Sequence, residues 1–258
     1  MNFRQPVSAY MSTDLVTTTL DTTLSRVARL LDARRISSVP VTGRDGSLVG
    51  VISRTDLLHT GRVELGTGRG RQTIVVPDLP VAAAVVHNPL VCAPTTSLRD
   101  AAHRMVSARV HRLVVVDGRN PVGVISTRDL IAAVRDARVR LPLAEVMRAP
   151  VTTLASSATL AAAVAALDDH LGELVVVHEH WPVGVFTALD ALAGRDLPGE
   201  TPLEDVCDRA LLTLPAQLPL HHACAQAAAL DVHRVIAIAG RDLVGVAGGL
   251  DVARIVAA

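Results

Sequence analysis

Four aspartates in this sequence end nearly the same short pattern, and a hydroxyl residue precedes three of them at a fixed spacing. The pattern reads LVGVISRTDL from Leu48, PVGVISTRDL from Pro121, PVGVFTALDA from Pro182 and LVGVAGGLDV from Leu243. The Ser or Thr stands three residues before the aspartate in the pairs Ser53 and Asp56, Ser126 and Asp129, and Thr187 and Asp190. A carboxylate accepts strong charge-assisted hydrogen bonds, and a hydroxyl at a helix start can bind an anion. The pattern therefore predicts ligand-binding groups.

The same pattern has a simpler interpretation, in which the aspartates only cap helices. Asp is favoured at helix N-termini whether or not a ligand is present. Both roles can coexist at one residue, so the sequence leaves the alternative open.

Neither catalysis nor metal binding is predicted. The chain has no G-x-S-x-G elbow and no H-E-x-x-H motif, and nearly every residue belongs to a repeat. The His178-Glu179-His180 cluster falls where the other repeats have a hairpin turn, which favours a solvated turn over a metal site. We expect a protein that is not an enzyme and has no catalytic cofactor.

The elements that must position the aspartates also repeat. Asp129, Asp190 and Asp251 are 61 residues apart, and 73 residues separate Asp56 from Asp129. An amphipathic segment led by a leucine precedes each aspartate; these leucines are Leu24, Leu98, Leu160 and Leu220. Two valine-rich runs around a turn then predict a β-hairpin, and a last helix follows the aspartate. The predicted order in each unit is β-α-β-β-α.

The repeats predict an α/β fold with four units arranged as two pseudo-twofold pairs. A unit of about sixty residues buries little surface alone, so neighbouring units should pair through their sheets. The predicted boundaries are residues 1–60 for the first unit, 61–80 for an insertion or linker, 81–137 for the second unit, 138–196 for the third and 197–258 for the fourth. The Gly-Arg run at 66–72 in the insertion predicts an exposed loop.

Composition excludes several classes of protein. The 25 basic residues are all Arg and are balanced by 25 acidic residues, so no global field would attract nucleic acid, and aromatic residues for base stacking are few. The three cysteines have no disulfide or zinc spacing. No apolar run approaches the length of a membrane span. We expect a cytoplasmic protein that binds neither membranes nor nucleic acid.

The repeated unit resembles the CBS (cystathionine β-synthase) domain. The resemblance rests on openings such as Met11-Ser12-Thr13-Asp14 and Met147-Arg148-Ala149-Pro150, on the strand Ser38-Val39-Pro40-Val41, and on the four endings quoted above. It implies two pairs of repeats, with clefts that often bind AMP, ADP, ATP or S-adenosylmethionine. In such a cleft the aspartate would accept hydrogen bonds from the ribose hydroxyls, and the hydroxyl residue would face phosphate.

The resemblance also implies basic contacts to phosphate. Arg54 and Arg128 lie inside the motif, and Arg112 and Arg234 follow His111 and His233 at the start of the central strand. The third repeat has Glu173 at that position, which predicts repulsion of a polyphosphate and favours the first pair as the nucleotide site. In the fourth repeat Gly248 replaces the hydroxyl residue.

Two functions remain open at this level, and a weaker third, nucleic-acid regulation through the Arg-rich insertion, is disfavoured by the neutral net charge and the few aromatic residues. The first is a non-catalytic regulatory sensor that binds an adenosine nucleotide, forms a homodimer and relays binding to a protein partner. The second is a scaffold for oligomerisation or docking that binds no ligand, in which the aspartates act only as caps.

Overall fold

The first repeat folds as the predicted β-α-β-β-α unit. The computed structural model describes residues 3–65, 72–167 and 173–258. The elements of the first repeat are β1 (Thr18–Thr19), α1 (Leu24–Arg34), β2 (Ser38–Thr42), β3 (Leu48–Ser53) and α2 (Arg54–Thr60). Strands β4 (Arg62–Leu65) and β5 (Gln72–Val75) follow as an antiparallel hairpin, and β6 (Val86–His87) pairs with β3. The predicted exposed loop within 61–80 lies mainly at 66–71, outside the described residues.

The other three repeats have the same order of elements. The second contains β7 (Val91–Cys92), α3 (Leu98–Ala108), β8 (Arg112–Asp117), β9 (Asn120–Ser126) and α4 (Thr127–Asp136). The third contains β10 (Thr153–Ala155), α5 (Leu160–Ala166), β11 (Glu173–His178), β12 (Trp181–Thr187) and α6 (Ala188–Ala193). A short helix, α7 (Leu203–Val206), precedes the fourth, which contains β13 (Leu212–Pro215), α8 (Leu220–Ala229), β14 (Arg234–Ala239), β15 (Asp242–Gly248) and α9 (Gly249–Ala257). The predicted fold class is confirmed.

Local signals explain why these elements form. Thr23 accepts a hydrogen bond from the backbone N–H of Arg26, and Ser97 accepts one from Asp100, so α1 and α3 both begin at a side-chain cap. Both helices end at an arginine in the left-handed conformation, Arg35 and Arg109. In each sheet the first strand lies parallel to the second, and the second and third form an antiparallel hairpin.

The segment that opens each repeat packs against the other repeat of its pair. These opening segments are residues 7–12, 81–87, 143–148 and 203–208. Their contacts to the last strand of the neighbouring sheet are Ser12 with Val124, Val86 with Val51, Arg148 with Val246, and Asp208 with Val185. The two repeats of a pair are therefore interlocked, whereas the residue boundaries drawn from the sequence stay a prediction.

Sheets join the repeats within a pair, and helices join the two pairs. Val175 and Val185 of the third repeat share a buried cluster with Ile236 and Val246 of the fourth. Between the pairs, α3 and α4 of the second repeat pack against α8 and α9 of the fourth. Small buried residues in these helices, such as Ala102 of α3, allow close approach.

Candidate functional site

Three of the repeated aspartates have the same hydrogen-bond geometry. The Oδ2 atom of Asp56 accepts from the backbone N–H of Ser53 at 2.7 Å and from its hydroxyl at 2.6 Å. The corresponding distances for Asp129 and Ser126 are both 2.7 Å, and those for Asp190 and Thr187 are 2.8 and 2.7 Å. The capping role considered for these aspartates is thus present in the folded chain.

One carboxylate oxygen nevertheless remains available in these three repeats. Among the described residues, no hydrogen bond to the Oδ1 atom of Asp56, Asp129 or Asp190 is found. All three residues are partly exposed. Each carboxylate can therefore cap its helix with one oxygen and accept a hydrogen bond from a ligand hydroxyl with the other.

Burial raises the pKa of two of these carboxyls. Removal from water is the main cause at Asp129, and it outweighs the hydrogen bonds from Ser126 that act in the opposite direction. The same cause dominates at Asp190, where the charge of Asp208 raises the pKa further. A ligand that donates hydrogen bonds to Asp129 would offset part of the cost of keeping its charge away from water.

The arginines at the start of the central strands reach across each pair. Arg112 donates to the Ser38 hydroxyl of the first repeat at 3.1 Å, and burial is the main cause that lowers the pKa of its guanidinium. Arg234 donates to the carboxylate of Glu173, which occupies the position of Ser38 in the third repeat. Arg112 therefore faces a neutral partner, whereas Arg234 faces a buried charge.

Glu173 therefore differs from its sequence-based interpretation. It was expected to repel a polyphosphate as a free negative charge, but it lies in ion pairs with Arg148 and Arg234. Its side chain is 5% exposed. The charge that would oppose phosphate is already neutralised within the protein.

The two arginines inside the motif also have protein partners. Arg54 forms an ion pair with Asp32 of α1 in its own repeat. Arg128 pairs with Asp231 at 2.6 Å and lies 3.0 Å from Nε2 of His233, so it links the second repeat to the fourth. The predicted phosphate contacts of Arg54, Arg128, Arg112 and Arg234 stay predictions.

Asp251 of the fourth repeat has no such free oxygen. Its Oδ2 atom accepts from the backbone N–H of Gly248 at 2.8 Å, and Nε of Arg148 lies 3.1 Å from both oxygens. Arg254 donates to Oδ1 at 2.6 Å. The side chain of Asp251 is 2% exposed, so this carboxylate is enclosed by protein.

Sequence reasoning did not identify Arg148 as a cleft residue. Its position follows from the pairing of the opening segment with β15, which lies in another repeat. The signal that could have revealed it is the opening motif itself. Met11 and Met147 cover the glycine of the neighbouring strand, and the next residue, Ser12 or Arg148, then pairs with the strand residue after that glycine.

The helices between the pairs also border a mostly apolar pocket. It is partly open to solvent and lies between the fourth repeat, Ile131 of α4 and Leu143 of the third repeat's opening segment. His233 and Gly248 contribute to a lining that is otherwise mostly aliphatic. Among the described residues, no group of three or more metal-binding side chains is present, and His178-Glu179-His180 forms the predicted hairpin turn.

The family assignment follows from these repeats and from comparison with known proteins. The family model for the CBS domain matches residues 7–61, 81–136 and 143–194. The chain belongs to this family. The fourth repeat, which lacks the hydroxyl residue, lies beyond the matched segments but has the same fold.

Several relatives share parts of this chain. An uncharacterized protein of Methanocaldococcus jannaschii is 27% identical over 50% of this chain and 86% of its own length. The gamma-3 subunit of human 5'-AMP-activated protein kinase is 33% identical over 39% of this chain, and the inosine-5'-monophosphate dehydrogenase of Mycobacterium tuberculosis is 33% identical over 48%. The match spans only about a fifth of the last two proteins, 20% and 21%.

Solved structures show the same fold over nearly the whole chain. A Methanocaldococcus jannaschii protein proposed as an archaeal homolog of γ-AMPK has a TM-score of 0.75 at 15% identity and covers 97% of this chain and 99% of its own. An uncharacterized conserved protein from Pyrococcus horikoshii has a TM-score of 0.67 at 22% identity and covers 98% and 100%. None of the described helices is long and apolar enough to cross a lipid bilayer.

Proposed function

We propose that the chain is a non-catalytic regulatory sensor that binds an adenosine nucleotide in the cleft between its first two repeats. The observation that carries this proposal is the proximity of two groups in the second repeat. Asp129 has a free carboxylate oxygen, and Arg112 donates to the neutral Ser38 hydroxyl and forms no ion pair with the described residues. A hydrogen-bond acceptor and a cation without an ion-pair contact in one cleft are complementary to a ribose joined to phosphate.

The roles of the residues follow from this chemistry. The ribose hydroxyls would donate to Asp129, and phosphate oxygens would accept from Arg112 and from the free backbone N–H groups at the start of α4. Ser53, Arg54 and Asp56 would act in the same way in the first repeat, and Thr187 and Asp190 in the third. AMP, ADP and ATP share the groups that these residues would bind, and S-adenosylmethionine shares the ribose.

The comparison with known regulatory proteins supports this function. The human relative is named as a subunit of a 5'-AMP-activated protein kinase, and the match to it covers 39% of this chain. Binding would regulate a partner only if the ligand prefers one arrangement of the two pairs. The helix contacts between pairs offer a route, since Arg128 follows the Ser126 cap and also touches Asp231.

Isothermal titration with AMP and ATP tests the site. Asp129→Ala should weaken binding by about 10-fold to 100-fold, because a hydrogen bond to a charged group contributes about 1.5–3 kcal/mol. Asp100→Ala is the matched control, because Asp100 accepts from the Ser97 hydroxyl at 2.7 Å in another helix cap of the same repeat. Equal affinity of a folded Asp129→Ala protein and the wild type would refute the site.

The alternative function is an oligomerisation or docking scaffold without a ligand. It is favoured by the capping contacts of Asp56, Asp129 and Asp190, which require no ligand. A thermal-shift screen with AMP, ADP, ATP, S-adenosylmethionine and NAD separates the two functions, because a ligand of the folded state raises the melting temperature. No shift with any compound would favour the scaffold.

A further inference from the structure

The two pairs place residues from equivalent positions in their clefts, but the charges of these residues differ. The pairing registers make Ser12 equivalent to Arg148 and Ser38 equivalent to Glu173. The first pair therefore has two neutral hydroxyls where the second has a cation and an anion. The cation and the carboxylate are unchanged, since Arg112 and Asp129 correspond to Arg234 and Asp251, whereas Gly248 stands where the second repeat has Ser126.

In the second pair, Glu173 and Arg148 bind Arg234 and Asp251, the two groups that both pairs share. The Glu173 carboxylate accepts from Nε of Arg234, and its other oxygen accepts from Arg148. Nε of Arg148 lies 3.1 Å from both oxygens of Asp251. Burial is the largest influence on Arg148 and lowers its pKa, but Glu173 and Asp251 together raise the pKa above its ordinary value.

We infer that the ion pair of Arg148 and Glu173 is an internal substitute for a nucleotide, which closes the Asp251 cleft. The Glu173 carboxylate gives Arg234 the anion that a phosphate would supply, and Arg148 gives Asp251 the donor that ribose hydroxyls would supply. This inference rests on the proposed function. It implies that the Asp251 cleft is held in a liganded arrangement at all times and that only the other clefts respond to nucleotide.

Burial makes the substitution persistent. The side chains of Glu173 and Asp251 are 5% and 2% exposed, so a nucleotide would have to displace the ion pairs of Arg148 before it reached the Asp251 carboxylate. Breaking a buried pair leaves an uncompensated charge and is strongly unfavourable. Arg254, which also donates to Asp251, adds a third cation where the second repeat has Ala132.

The chain supplies the residues for a matched test. The triple variant Arg148→Ser, Glu173→Ser, Arg254→Ala gives the second pair the residues of the first at these three positions. Equilibrium dialysis with radiolabelled AMP, and with ATP as a second probe, counts sites per chain. We expect one site more than in the wild type. If the wild type binds nucleotide and the folded triple variant has the same number of sites, the inference is overturned.

The reverse variant, Ser12→Arg with Ser38→Glu, keeps the inference testable if the triple variant does not fold. It should remove the binding that depends on Asp129, and retention of that binding in a folded protein would overturn the inference. Failure of the proposed function gives a different result, namely no binding by the wild type. A new site in the triple variant would then still support the role of Arg148 and Glu173 as an internal substitute for a nucleotide. If neither protein bound nucleotide, both the proposed function and this inference would be refuted.

Discussion

At the scale of single residues, the aspartates divide two tasks between their two oxygens. Oδ2 of Asp129 holds the backbone N–H and hydroxyl of Ser126, which begins α4, while Oδ1 is left for a ligand. Asp251 has the same cap contact, but Arg148 and Arg254 use its remaining capacity. The same residue type in the same motif is therefore the proposed ligand-binding group in one repeat and part of an ion network in another.

The histidines that precede Arg112 and Arg234 should make stability depend on pH. Burial is the main cause that lowers the pKa of His111 and His233, and nearby arginines lower it further. An unfolded chain has ordinary histidines with a pKa of about 6.5. As pH falls below that value the unfolded state takes up protons first, so the stabilisation present at neutral pH is lost as pH passes through the lowered values.

The measurement is the melting temperature between pH 7.5 and pH 5. It should fall as pH falls, and the slope should be shallower in His111→Gln and His233→Gln. His180→Gln, on an exposed hairpin turn, is the control and should leave the slope unchanged. Identical slopes in all four proteins would contradict the assigned cause. The acidic groups Glu173, Asp208 and Asp231, which raise one or other of these pKa values, do not reverse the sign.

At the scale of elements, the sequence predicted what depends on local pattern. The helix that begins at Leu98 follows from apolar spacing and the Ser97 cap, and the hairpin from valine-rich runs around Asp117-Gly118. The packing of each opening segment against the other repeat of its pair could not be predicted in this way, because Ser12 contacts Val124 only when two repeats pair. The ion network was missed for the same reason: Arg148 and Asp251 are 103 residues apart.

A glycine in the last strand of each sheet makes room for the opening segment. A Cβ atom at Gly123 would lie 2.8 Å from the backbone oxygen of Ser12 and 3.0 Å from the Met11 sulfur. Because a backbone atom cannot yield as a side chain does, Gly123→Ala should destabilise the protein by about 1–3 kcal/mol. Chemical denaturation measures this. Gly199→Ala, whose Cβ would meet only the Ala161 methyl at 3.3 Å, should cost much less.

If Gly123→Ala displaces the opening segment, residues 7–12, the shape of the cleft in the first pair should also change. Ser12 of this segment pairs with Val124 of β9, the strand that leads to Asp129. If Gly123→Ala and Gly199→Ala had equal unfolding free energies, the close packing of this segment would not limit stability.

At the scale of the whole molecule, the two pairs are alike in backbone but not in charge. The first has open polar groups, and the second is neutralised internally by Arg148 and Glu173. Helices hold the pairs together, so a change in the first cleft can reach the second through α4. This arrangement suits a protein in which the first pair senses a ligand and the Asp251 cleft of the second pair stays fixed.

The contact between pairs depends on the absence of a side chain at Gly249. A Cβ atom there would lie 2.7 Å from the Cβ of Thr127, at the facing start of α4, and closer still to its hydroxyl oxygen. Gly249→Ala should therefore lower stability by about 1–3 kcal/mol despite the better helix propensity of Ala. The melting temperature should fall by about 2–4 °C per kcal/mol in a chain of this size.

A double-mutant cycle separates this contact from a local effect on α9. Thr127→Gly removes the atoms that a new Cβ would strike, so Gly249→Ala should cost less in that background than in the wild type. Ala188→Val is the control, because Ala188 holds the equivalent first position of α6 but is exposed. If Gly249→Ala lowered the free energy of unfolding equally in both backgrounds, the starts of α4 and α9 would not be in close steric contact. Coupling between them would instead establish a direct mechanical link from the Ser126 cap, beside the proposed nucleotide, to the closed cleft of the second pair.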